Sequence, residues 1–459
     1  MLYYQSILLN HKTMEYPIPK LYRSDRILFG MITVSIVIVT IDLVISNTAV
    51  FGQKFLTSNS GFLTYSAIVL AFWITQTMFY YSIRNRLKVM RFKGKKLAFT
   101  SRLLETSLWL LLILNFFTII EMLSFGHYSV YLLILVIIIS YSLNILFMSL
   151  LSFMLVSWSK VSKNKILTSY NLASILAAIS GLITVVYMTS IILDGSKEIS
   201  SSLDILYPVF AISSNMGILN IANIISFLSS FIFMWIGSAI ILRHYTLKIS
   251  KGRYTLLIAT PLVYHIGQYF IVLNILFPFI DSSSTSFIYY YTTFFTFSSV
   301  VGSVIFAVSF WLIAKDLSRN VNISTYLKMC GFGFIMFFIS ATATVIHTPY
   351  PPFGIISISL VGFSSYYILY GIYSSSVSLS EDVNLRALIR KSAISELRFI
   401  TSMSRGYLQD RVVNQVYDTT QKFEKNIEEQ TGISPSLSKD EIKLLIKQIL
   451  DELRTSNGT

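Results

Sequence analysis

The sequence predicts an all-α protein: a polytopic transmembrane bundle of about ten helices with a short cytoplasmic helical tail. Three observations predict it. Of the 459 residues, 54% are hydrophobic and only 13% charged, against roughly 25% charged in an ordinary soluble domain. The mean hydropathy is +0.65, and apolar stretches of about twenty residues, enough to cross a hydrocarbon core as helix, recur along the chain. Lysine and arginine gather in alternate connections between these stretches. Together these features exclude a simple soluble protein, a disordered chain and a collagen. The single cysteine, Cys330, excludes an internal disulfide framework.

In chain order the predicted spans lie near 27–50, 62–83, 103–124, 128–156, 169–193, 217–242, 254–280, 289–314, 327–347 and 354–375. In lipid every backbone amide and carbonyl needs a partner within the segment or its neighbours, so runs of this length are expected as helices. Strands of alternating polarity are absent from the sequence, which removes a barrel as a competitor. The chain thus divides into an N-terminal cytoplasmic segment 1–26, a transmembrane domain 27–375 and a cytoplasmic tail 376–459.

Charge tests the span count independently of hydropathy. With ten spans, 34 of the 36 basic residues fall on one side, and only Lys54 and Lys197 on the other. Adding or removing one helix would destroy this alternation. Cytoplasmic loops carry the excess of Lys and Arg, so both termini are expected inside and the protein in the cell membrane. Residues 1–26 lack the apolar core and cleavage site of a signal peptide, and the first span is expected to direct insertion. Aromatic clusters at predicted helix ends, among them Phe79-Tyr80-Tyr81 and Tyr289-Tyr290-Tyr291, are expected as headgroup-level anchors.

The tail is neutral, with twelve basic and twelve acidic residues after position 375. The net charge of +14 therefore belongs to the membrane part, where it records topology, and nucleic acid is not expected as a partner. From Leu408, the positions Val412, Val416, Thr419, Phe423 and Ile427 form a stripe at helical spacing. A helix continuing from the last span is the expected form. Gly432 and Pro435 interrupt it, Ser438 with Glu441 makes a capping box, and Ile442, Leu445, Ile446, Ile449 and Leu453 mark a second amphipathic helix. Such stripes need cover. Besides the lipid bilayer, the candidate partners are the paired tail helix, a second copy in a homodimer, and a cytoplasmic protein.

Ionisable residues within spans are costly and often functional. Asp42 and Glu121 fall near the outer ends of the first and third spans, Glu105 near the inner end of the third. Structural contacts are one reading of these carboxylates; a shared outward-facing ligand site of Asp42 with Glu121 is the other. In the seventh span His265 lies near the midplane beside Tyr264, Gln268 and Tyr269, with Pro261 four residues earlier. Proline removes a backbone donor and can open carbonyls toward a cavity. Tyr264, His265 and Gln268 are therefore candidate ligand-binding residues, the competing reading being a histidine bonded across a helix interface. Asn115 and Asn144 are expected as interhelical glue, and Gly331, Gly333 and Gly354 as helix ends or close-packing points.

Catalytic patterns are missing. The five histidines have no metal-ligand spacing, and there is no phosphate loop, nucleophile elbow or HExxH. No catalytic residue, metal site or cofactor is expected, and an enzyme is not the predicted class. Three stretches, Leu242-Arg243-His244-Tyr245, the HTPYPPFG turn from His347 to Gly354, and GIYSSSVSLSEDVNLRALIRKS at 371–392, resemble a group of archaeal multi-pass membrane proteins without an established activity. The resemblance covers roughly the C-terminal half; it implies the same fold and an archaeal membrane but no site residues. Three functions stay open: a sensor or receptor-like protein transmitting into its tail, a secondary transporter built around His265 and Gln268, and a scaffold subunit of a membrane complex.

Overall fold

The computed structural model describes residues 21–48, 58–90, 95–162, 164–194, 198–200, 214–243, 250–271, 303–317, 321–341, 350–382 and 397–431. Within them the helices are α1 (Leu21–Thr48), α2 (Asn59–Met90), α3 (Lys95–Phe125), α4 (Val130–Ser162), α5 (Lys165–Asp194) and α6 (Ser214–Arg243). They continue with α7 (Lys251–Ile271), α8 (303–316), α9 (Val321–Ala341), α10 (Ile355–Glu381) and α11 (Leu397–Thr431). Each predicted span overlaps one helix, from α1 to α10. Among the described residues eight of these helices, α1–α6, α9 and α10, are long and apolar enough to cross a membrane. The protein is an all-α polytopic bundle.

Burial sorts the helices into a ring and an axis. Between 33% and 50% of the apolar window is buried in α1–α6, against 89% in α9 and 100% in α10. The open flanks of the ring carry Leu63, Leu70, Phe153 and Leu182, side chains that lipid solvates as well as protein does. At the axis, α10 packs on α9, α4, α1 and α3.

Composition explains this position. The α10 sequence IISISLVGFSSYYILYGIYSSSVSLSE is rich in serine and glycine. Serine hydroxyls in a dry interior turn back on their own helix: Ser359 donates to Ile355 O, Ser365 to Val361 O, and Ser376 to Ile372 O. Glycine lets backbones meet. A Cβ on Gly371 would lie 2.7 Å from Tyr326 O and 2.7 Å from Cys330 Cβ of α9, and one on Gly333 would lie 3.0 Å from Ile368 N of α10. Gly331, Gly333 and Gly371 are thus close-packing points, which is how small residues hold membrane helices together.

Two features depart from the sequence reading. Connections that read as plain loops pair as a short antiparallel ladder, β1 (His127–Ser129) with β2 (Glu198–Ser200), matching Tyr128 to Ile199. The tail helix does not continue the last span. Asp382 has φ −86° and ψ 91°, an extended conformation that ends α10, and α11 packs back on α4 and α10. Its docked face is Ile400, Met403, Ser404 and Tyr407, one stretch before the predicted stripe.

The aromatic cluster in α2 also divides. Tyr81 is 64% exposed and fits the anchor role, whereas Phe79 stacks edge-on against Tyr367 and Tyr80 donates to Glu105. Tyr289-Tyr290-Tyr291 lie outside the described residues.

Candidate functional site

The axial helix α10 is held by side chains from other helices at both ends and at its middle. At one end stands Asp42 of α1, a fully buried carboxylate. Its Oδ1 accepts from the Gly354 amide at 2.9 Å, and its Oδ2 accepts from the Ser357 amide at 3.0 Å and the Ser357 hydroxyl at 2.8 Å. A helix start leaves unpaired amides and a partial positive charge, so a carboxylate there is electrostatically favoured. The cap comes from 312 residues away in sequence, because Gly354, the local N-cap, has no side chain to supply it. Gly354 is required for two reasons: its φ is +96°, and a Cβ would lie 2.7 Å from Ser46 Oγ.

A collar of aromatic residues surrounds this end. Phe353 meets Tyr65 of α2 edge-on, Tyr350 stacks on Tyr128 of β1, and the Tyr350 hydroxyl donates to Met122 O at 3.4 Å. Burial raises the Tyr350 phenol above its ordinary range. Tyr65 is fully buried, and its hydroxyl has no hydrogen-bond partner among the described residues. Glu121 sits in the same layer with a different partner, accepting from the Ser129 amide at 2.7 Å. Asp42 and Glu121 thus each receive backbone amides, one at the start of α10 and the other just before α4.

Midway along α10 two amides bridge helices. Asn144 of α4 accepts from Ser365 Oγ at 2.7 Å and donates to Ala177 O of α5 at 3.5 Å. Gly181 makes room, since a Cβ there would lie 2.6 Å from Asn144 Nδ2. Gln76 of α2 accepts from Tyr367 at 2.9 Å and donates to Ser35 of α1 at 3.3 Å. Asn144 is interhelical glue as expected, while Asn115 donates to Leu111 O of its own helix and its Oδ1 is unpartnered. Gln76 was missed by sequence reading, although a glutamine within an apolar run is a visible signal.

At the opposite end the contacts turn to α11. Ser157 of α4 donates to both Asp410 oxygens at 2.8 and 2.9 Å, Asn164 donates to Ser402 at 3.3 Å, and Tyr373 of α10 meets Tyr407 edge-on at 5.8 Å. Gly406 lies flat on Trp158, where a Cβ would fall 2.6 Å from the Trp158 Cβ and Cγ. At this same end Glu105 accepts from Tyr80 and from Arg84, the latter at 2.8 Å.

Tyr264, His265 and Gln268 lie on the helical backbone of α7, after the buried Pro261, and their side chains are outside the described residues, as is His347. Among the described residues no group of three or more His, Cys, Asp or Glu is placed to hold a metal ion. The arrangement around α10 supplies hydrogen-bonded holds at three levels. No known family, no curated protein and no solved structure matches the chain.

Proposed function

We propose that the chain is a receptor-like membrane sensor in which α10 relays a change at the Asp42 end to the tail helix α11. One observation carries this reading. Among the described residues, α10 both receives the Asp42 carboxylate at its start and contacts α11 near its end. A helix packed on every side moves as a rigid element, so displacement at Gly354 and displacement at Tyr373 are coupled through its length. Since α10 and α11 are separate helices, the relay would run through side-chain packing at Tyr373 and Tyr407. The distribution of Lys and Arg supports a cytoplasmic position for α11 and for both termini in a cell membrane, with Asp42 toward the other side.

The test is a distance measurement in lipid nanodiscs. Spin labels on Lys160→Cys of α4 and Val416→Cys of α11 report the docking of the tail. Asp42→Asn, which keeps the shape but loses the charge, should shift or broaden that distance distribution. An unchanged distribution, in a protein whose α10 start exchanges amide hydrogens faster, would break the relay. Solute flux by the reconstituted protein, persisting after deletion of residues 394–459, would instead favour transport around His265 and Gln268.

A further inference from the structure

The docked face of α11 ends near Val413, yet its apolar pattern does not. From Val412 on, Val412, Val416 and Phe423 are 46%, 39% and 63% exposed. Among the described residues these side chains stand exposed, apart from the docked residues Ile400, Met403, Ser404 and Tyr407. An apolar stripe in water needs a partner.

We infer that the stripe is the docking surface for the chain's own segment 438–453, which packs on it antiparallel to complete a helical hairpin. Residues 432–459 lie outside the described residues, and the argument rests on their sequence. Gly432 and Pro435 stop a helix and turn the chain, and Ser438 with Glu441 starts another within a few residues. Short connections place consecutive helices side by side and antiparallel. The two stripes also match in length. Val416 runs against Leu453, Phe423 against Ile446 and Ile427 against Ile442 in one register, with Thr419 one residue out of step with Ile449. Both sets span the same number of residues, about 16 Å of helix. The same register sets Glu424 beside Lys443. A second copy of α11 on this surface would leave the stripe of segment 438–453 uncovered, whereas the hairpin covers both stripes within one chain. This inference stands whether or not α10 acts as a relay.

Cross-linking of the full-length protein in nanodiscs tests it. The native Cys330 is buried, so introduced pairs report alone. A protease site is inserted after Ser434, and a short bismaleimide suited to packed helices about 8–10 Å apart is applied. Phe423→Cys with Ile446→Cys, and Val416→Cys with Leu453→Cys, should each stay joined as one chain after cleavage. The out-of-register pair Val416→Cys with Ile442→Cys should fall to background. Asn164→Cys with Ser402→Cys, whose side chains are in hydrogen-bond contact, should link throughout and reports that α11 is docked. Product at twice the chain mass, equal yield in and out of register, or no product from either in-register pair while the docking pair links, would each overturn the hairpin.

Discussion

Asp42 shows how a single residue can be visible in sequence while its role is not. A carboxylate about sixteen residues into an apolar run is conspicuous, and its depth follows from helical rise. Its partners were not legible, because the amides it accepts belong to Gly354 and Ser357 at the far end of the chain. The sequence also presents Glu121 as an equal candidate, and only its bond to the Ser129 amide separates the two. The structural consequence is measurable. Asp42→Ala leaves two buried amides without an acceptor and the Ser357 hydroxyl with only Val39 O, at 3.3 Å, and unsatisfied buried groups cost about 1–3 kcal/mol each before water enters or the helix frays. Asp42→Asn keeps one acceptor oxygen and should lose roughly half as much. Thermal unfolding in detergent should therefore rank wild type above Asn and Asn above Ala; a stability equal to wild type for Ala would show that the carboxylate does not hold α10. Gly354→Ala, forced to a positive φ against Ser46, should destabilise the same joint by about 1–3 kcal/mol.

Helix existence is the best-read level here, since an apolar run of about twenty residues has few alternatives in lipid. Helix position is less legible. All the spans look similar by hydropathy, but α10 is axial and α2 peripheral. The serines and glycines of α10 carry the hint, because small residues suit a helix that must approach several others. The tail helix departs from the sequence by breaking from the last span at Asp382. The apolar stripe from Leu408 reads by periodicity as a face that needs cover, while docking on the membrane helices uses Ile400, Met403 and Tyr407, a face whose glycine and serine residues fit the flat side of Trp158 and hydrogen-bond to Asn164. Shape and polarity decided there, and a hydrophobic count does not register them. Gly406→Leu should accordingly lift α11 from α4, an overpacking cost of about 1–3 kcal/mol confined to the tail. Hydrogen exchange should rise across residues 400–413 with α4 and α10 unchanged; faster exchange throughout the bundle, or none, would mean the contact is not a separable joint.

At the scale of the whole molecule, one chemical asymmetry organises everything else. Of 36 basic residues, 34 sit on the face predicted to be cytoplasmic. Arg84 with Glu105 and the docked α11 occupy one end, while Asp42, the aromatic collar and the β1–β2 pair occupy the other. The two ends differ in kind. One is charged and carries a helix that is only half covered; the other is capped by hydrogen bonds to backbone and by stacked rings. The positive-inside rule predicts the charged end in the cytoplasm, because Lys and Arg resist translocation. Cysteine labelling checks this without disturbing the core, since buried Cys330 gives no background. Ser200→Cys in β2 should react with an impermeant maleimide on intact cells. Gln421→Cys, on the exposed side of α11, should react only after permeabilisation. The reverse pattern would invert the topology and put the tail outside, where no cytoplasmic partner could read it, so the proposed relay would fail together with the orientation.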